Sequence, residues 1–328
     1  MAAAALVCFG AVLWAGTPEV DDQLMARRRL FGDIGPGLRA LRRGADGKFY
    51  VLVSSANSVA VFDAKGAPAA KVPDYSKTAG PASADLQTIQ FGEDMDVATN
   101  GTVYVADRGA NAIKVWGPGG NAREIHVNAP VSVAVLPEDE VAVVTMEQTH
   151  LVTVYGPNGR VVREFGDPES LSTRADLNRY VNEGRVASDP QGHLYYGFTY
   201  MPEPLVRQYD RIGYAQLDFQ FLGVDAFPEA QATRKEIEKQ EARANKPPSL
   251  RPILTAFGVD PVSGDLWMAL HNTLLHFDKD GNRRSEYQIY TPKGARIEAS
   301  IIVVEEERLL IGADPVGIYD FPRPDKRH

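Results

Sequence analysis

Apolar and polar residues alternate along most of the chain in short runs, and the runs are broken by turn-forming residues. Ala112-Ile-Lys-Val-Trp116, Leu151-Val-Thr-Val-Tyr155 and Leu274-Leu-His-Phe277 each carry the period of two expected of a strand. Tight turns follow at Asp63-Ala-Lys-Gly66, Gly117-Pro-Gly-Gly120, Gly156-Pro-Asn-Gly159 and Asp278-Lys-Asp-Gly281. The strands also recur as a unit. Asp46-Gly-Lys-Phe-Tyr-Val-Leu-Val53 is matched by Asn100-Gly-Thr-Val-Tyr-Val-Ala-Asp107, Gln191-Gly-His-Leu-Tyr-Tyr-Gly-Phe198 and Ser263-Gly-Asp-Leu-Trp-Met-Ala-Leu270. Degenerate copies begin at Glu138 and Glu306, which makes six copies in all. A short apolar strand precedes each copy, as in Val131–Val135 or Ile301–Val304, and in most copies a third and a fourth strand follow. Four short antiparallel strands repeated six times, with no long helix in the core, predict an all-β fold, the six-bladed β-propeller.

The copy Val97-Ala-Thr-Asn-Gly-Thr-Val-Tyr-Val-Ala-Asp-Arg-Gly-Ala-Asn-Ala-Ile-Lys-Val-Trp116 resembles an NHL repeat, and the resemblance extends at lower fidelity over residues 24–322. It implies an NHL-type propeller formed as a single domain. Ring closure is also expected from the sequence. Gly317-Ile-Tyr-Asp-Phe321 reads as a third strand, and the Pro-rich tail 323–328 offers no fourth. Arg28-Arg-Leu-Phe-Gly-Asp33 resembles Val162-Arg-Glu-Phe-Gly-Asp167, the outer strand of the third copy, so the N-terminal strand should complete the last blade and remove an open edge.

In such a blade the blade-to-blade links and the loops between second and third strands share one face, the upper one. The long insertions, 74–91, 167–181 and 226–249, all fall in those links, which makes the upper face the expected functional face. Residues 228–245 are rich in helix formers and dense in charge, with Ile237 as their only large aliphatic residue. They predict a helical insertion lying solvated on the surface, a lid or docking handle being the functional alternative.

Composition narrows the partners. Thirty-five basic against 43 acidic residues leave a net charge of −8, which argues against nucleic acid or an anionic membrane surface. A single cysteine excludes an intramolecular disulfide and a Cys-rich metal site. The uncharged stretch 1–18, with its apolar run from Ala2 to Ala15, has the length of a signal-peptide core and is too short for a membrane span. It points to a secreted or periplasmic protein, with a cytoplasmic location as the alternative.

By position, Arg39, Asp94, Asp96, Glu183, Arg185 and Glu298 are expected on the upper face at the innermost strands. The loops between second and third strands add Asp107, Arg108, Asn111, Glu147, His150, Glu203, His271, Asn272 and Asp314. Of these, Arg39, Asp94, Asp96, Arg108, Glu183, Arg185, His271 and Glu298 form the expected ligand-binding set. Asp94 and Glu183 suit a Ca²⁺ or Zn²⁺ ion, because a hard cation takes carboxylate oxygens. In NHL-type repeats an Asp and an Asn at the places of Asp107 and Asn111 brace the loop, so these two are expected to be structural. His150 and His271 are the only histidines expected on the upper face, too few for a histidine-rich zinc lyase. A lactonase-type set of Glu, Asn, Asn and Asp is met only by Glu183 and one Asp, and no nucleophile elbow or phosphate loop occurs. The sequence therefore favours a monomeric binding module for a protein, peptide or glycan. A metal-dependent hydrolase, lactonase or lyase at the channel mouth is the first alternative, and a scaffold subunit docking through 228–245 is the second.

Overall fold

The repeated turns are closed by their own side chains. The Asp63 carboxylate accepts the backbone N–H groups of Lys65 and Ala67 at 2.8 and 2.9 Å, and Asp278 does the same for Asp280 and Asn282 at 3.0 and 2.8 Å. Gly66 and Gly281 then take φ of 87° and 82°, a backbone conformation that residues with a Cβ rarely adopt. Between these turns the alternating runs form strands, and the inner three of each blade bury most of their apolar residues while outer strands such as Pro68–Val72 and Val161–Phe165 are largely exposed.

In a computed structural model, residues 23–32, 34–74, 88–146, 149–221, 228–241, 248–314 and 317–326 are described. Their strands form six sheets arranged as the blades of a propeller, spanning 38–72, 92–126, 130–165, 184–220, 256–290 and 298–322. Blades one to five each contribute four consecutive antiparallel strands. The sixth supplies three of its own and takes Arg28–Leu30 as its outer strand, antiparallel to Gly317–Pro322 with Arg29 opposite Tyr319. The ring is thus closed from the N-terminal side as the repeat pattern implied. One addition was not foreseen: Gln23–Met25 lies parallel to Arg283–Tyr290 as a fifth strand of blade five. Phe31 follows at φ 60° and packs its ring 5.1 Å from Phe49 and 5.0 Å from Phe62, which ties the closing strand to the first blade.

The core lies between blades. Met95, Val105 and Trp116 of blade two pack on Leu52 and Val61 of blade one, and similar clusters fill the other interfaces. Two helices sit in the links before and after blade four: α1 (Ala175–Val181) and α2 (Pro228–Glu241). The expected helix 228–245 is therefore present through Glu241, and 242–245 lie outside the described residues. It is not merely solvated. Ala230, Thr233, Ile237 and Gln240 are buried, and Ile237 packs on Leu177 and Val181 of α1. Small and polar residues at helical spacing supply most of that buried face, so a search for large aliphatics misses it. Stretch 1–18, with Cys8, also lies outside the described residues.

Candidate functional site

Each innermost strand runs from the face of the blade-to-blade links to the face of the first tight turn. The six strands enclose a cavity of about 850 Å³ along the propeller axis. Its lining is uneven. Arg39 and Arg42 come from blade one, Asp94 and Asp96 from blade two and Arg185 from blade four, whereas the innermost strands of blades five and six present Phe257, Val259, Ile301 and Val303, and Arg43, Glu138, Asp139, Asp189, Glu305 and Glu306 line the lower end.

At the upper mouth, Arg39, Arg108, Glu183 and Arg185 come together around Glu93. The buried Glu93 carboxylate accepts from Arg108 Nη1 at 3.2 Å and forms an ion pair with Arg39 Nη1 at 3.3 Å, and its main-chain carbonyl oxygen lies 3.5 Å from Arg185 Nη1. The Arg39 guanidinium also sits 5.5 Å over the Phe91 ring, and its buried Nε has no hydrogen-bond partner among the described residues. α1 ends at Val181, two residues before Glu183, and so delivers it to the cluster. Burial pushes the Glu183 carboxyl above its usual range, Arg185 and Arg108 oppose the shift, and Glu93 adds to it. Burial likewise raises the Tyr200 hydroxyl, which feels Glu183, Arg185 and Glu93. Three guanidinium groups thus face two carboxylates at the mouth of a chain of net charge −8. Glu93, Phe91 and Tyr200 were not among the expected site residues. Glu93 was overlooked because blade two's innermost strand begins at Gly92, before the apolar run starting at Met95 that marks it in sequence.

Asp94 and Asp96 belong to the channel wall below the mouth. Asp94 is 2% exposed and accepts from Arg42 Nη2 at 3.3 Å, Ser132 Oγ at 2.5 Å and the N–H groups of Met95 and Val133. Asp96 lies 3.3 Å from Arg42 Nε and accepts the N–H groups of Val97 and Val135. Burial raises the Asp96 carboxyl, with Arg42 opposing. Together these residues staple the innermost strands of blades one, two and three.

Asp107 is fully buried and accepts the N–H groups of Gln90, Phe91 and Ala110, while the Asn111 side chain accepts from Ala129 N–H at 3.0 Å. They hold the loop that presents Phe91 and Arg108. The His271 backbone, at φ 57°, joins blade five to blade six by accepting from Ala299 N–H at 2.9 Å. Its imidazole Nε2 is buried without a partner among the described residues. Glu298 is exposed, and no described contact joins it to the cluster. Glu203 pairs with Arg234 of α2, Asn272 donates to Gln288, and His150 Nδ1 lies 4.0 Å from Asp167. Glu147 and the Asp314 side chain lie outside the described residues.

Among the described residues, the three groups whose ligand atoms lie in mutual reach are Asp265, His276 and Asp325, at the lower edge of blade five. His276 stacks 4.3 Å from Trp267 with Nε2 3.2 Å from Asp265, and burial lowers its pKa against the pull of Asp265. Asp325 accepts from Arg323 Nε at 3.0 Å, and Arg323 Nη1 donates to Asp260 at 2.6 Å. The set latches the C-terminal tail onto blade five, with a guanidinium already neutralising Asp325.

The sequence matches no family model and no curated protein. Solved structures share the fold. A streptogramin B lyase superposes with a TM-score of 0.55 at 14% identity over 89% of this chain and 86% of that one. A catalytically inactive histidine-to-alanine variant of virginiamycin B lyase from Staphylococcus aureus with quinupristin gives 0.55 at 13% identity over 89% and 82%. The extracellular domain of the putative hybrid two component system BT4673 from B. thetaiotaomicron gives 0.52 at 9% identity, over 92% of this chain and 34% of that one. At these identities the likeness establishes the six-bladed propeller. No helix among the described residues is long and apolar enough to cross a membrane.

Proposed function

We propose that the chain is an exported, NHL-type binding propeller whose upper mouth takes a peptide segment of a partner protein through an acidic side chain. The carrying observation is the excess of guanidinium groups around Glu93, with Arg108 and Phe91 exposed beside it. An incoming carboxylate gains charge-assisted hydrogen bonds from Arg108 while an apolar neighbour covers Phe91; one such bond contributes about 1.5–3 kcal/mol. The blade scaffold and the Asp107 brace fix these groups in advance, so little ordering entropy is lost on binding. Export rests on the apolar run from Ala2 to Ala15, and the NHL type on the copy Val97–Trp116.

An array of matched acidic, neutral and basic peptides tests this. Acidic peptides should bind, and Arg108→Glu should abolish their binding while leaving the far-ultraviolet circular dichroism unchanged. Preference for basic peptides, or for glycans carrying no acidic group, would refute it.

One observation supports the enzymatic alternative. Glu183, its ionisation disfavoured by burial and by Glu93 against the opposing pull of Arg185 and Arg108, has the character of a proton donor, and lyases occur among the proteins of this fold.

A further inference from the structure

We propose that the lower part of the channel is a second binding site, open on the face opposite the mouth, for a small amphipathic carboxylate. The first turns of all six blades reach the cavity, among them Gly44, Thr99, Pro137, Pro190, Pro261 and Glu306, so its opening lies on the lower face. Its volume of about 850 Å³ is that of a site for a drug-sized molecule.

The walls specify the ligand. On blades one and two the charges are already spent, because Arg42 is held between Asp94 and Asp96 and both carboxylates also accept backbone N–H groups. A cation entering here finds no free carboxylate on that wall. On the opposite side Phe257, Val259, Ile301 and Val303 form an apolar surface that continues to Val262, 85% exposed at the rim. At the inner end, Arg185 has no carboxylate oxygen within 4.0 Å among the described residues, and its one described hydrogen bond is the 3.5 Å contact to the Glu93 carbonyl. A guanidinium carries five N–H donors, and the buried Arg39 Nε lacks a partner as well. The inner end therefore holds unspent donors suited to a bidentate carboxylate, and the apolar wall suits an aliphatic or aromatic body directed toward the lower opening. A neutral ligand would leave those donors unused.

The test is a fluorescence titration of the full chain with dansylundecanoate, with decanoate, decanol and decyltrimethylammonium as competitors. The expected result is saturable binding at one equivalent, displaced by decanoate and not by the other two. Arg185→Met should weaken binding at least tenfold, and Arg185→Lys, which keeps the charge, should weaken it less. Val262→Asp at the rim should also weaken it, whereas Val162→Asp on the outer strand of blade three should not. Absence of saturable binding, equal displacement by decanol, or full affinity in folded Arg185→Met would overturn the proposal. Tighter competition by a peptide with a free C-terminal carboxylate than by decanoate would overturn the small-molecule assignment. Arg39 and Arg185 border both sites, so the two readings are separated by residues that belong to one site each: Arg108→Glu should abolish peptide binding at the mouth, and Val262→Asp at the lower rim should weaken dansylundecanoate alone.

Discussion

Asp94, in the channel wall, and Glu183, at the mouth above it, are carboxylates in opposite circumstances. Asp94 is saturated by Arg42, Ser132 and two backbone N–H groups, which makes it a staple between blades. Glu183 is half-buried with no such set of donors, and its proton is held more tightly in the folded protein than in the unfolded chain. Stability from that proton is fully present below the ordinary value of 4.5 and is lost as pH rises through the raised folded value. Glu183→Gln should therefore flatten the fall in melting temperature as pH rises from the ordinary value of 4.5 through the raised folded value, as thermal denaturation at a series of pH values would show. An unchanged slope would mean that Glu183 does not titrate across that range. At this scale the sequence was partly legible. Arg39, Arg108, Glu183 and Arg185 follow from counting positions along repeats, and Asp107 and Asn111 from the loop pattern. Glu93 was hidden by the bulge between Gly92 and Asp94, and the depth of Asp94 and Asp96 depends on a strand start that apolar residues alone do not mark.

At the scale of elements, the cap over blade four depends on two helices that need each other. α1 has seven residues and no side-chain cap at Arg174, too little to form alone. It is held by Leu177 and Val181 against Ile237, and by the Asn178 amide donating to the Ser172 carbonyl at 2.8 Å. Ile237→Ala should loosen both helices, at a cost of about 2 kcal/mol or more. Limited proteolysis would show cleavage within 167–181 and 228–241 while the blades stay protected; resistance equal to that of the wild type would contradict this pairing. α2 was legible from helix formers at i, i+3 and i+4 spacing. α1 was not, since a segment so short carries no periodic signal and owes its form to a partner distant in sequence.

For the whole molecule, the repeats made the ring and its closure legible, because six copies with a missing outer strand leave one arrangement without an open edge. The parallel strand Gln23–Met25 left no trace in the pattern, since three residues set no period. Closure has an energetic consequence at Phe31, whose ring joins the closing strand to Phe49 and Phe62. Phe31→Ala should cost about 3–5 kcal/mol in urea denaturation, and a loss below about 1 kcal/mol would show that the clasp contributes little. The closed ring is what gives the protein a rigid, arginine-lined mouth on an acidic chain. The most direct test of a ligand site there is hydrogen–deuterium exchange with and without the tightest acidic peptide from the array. Added protection should fall on residues 89–94, 107–111 and 183–185. Protection confined to the lower turns or to α2, or none at all, would contradict a ligand site at the mouth.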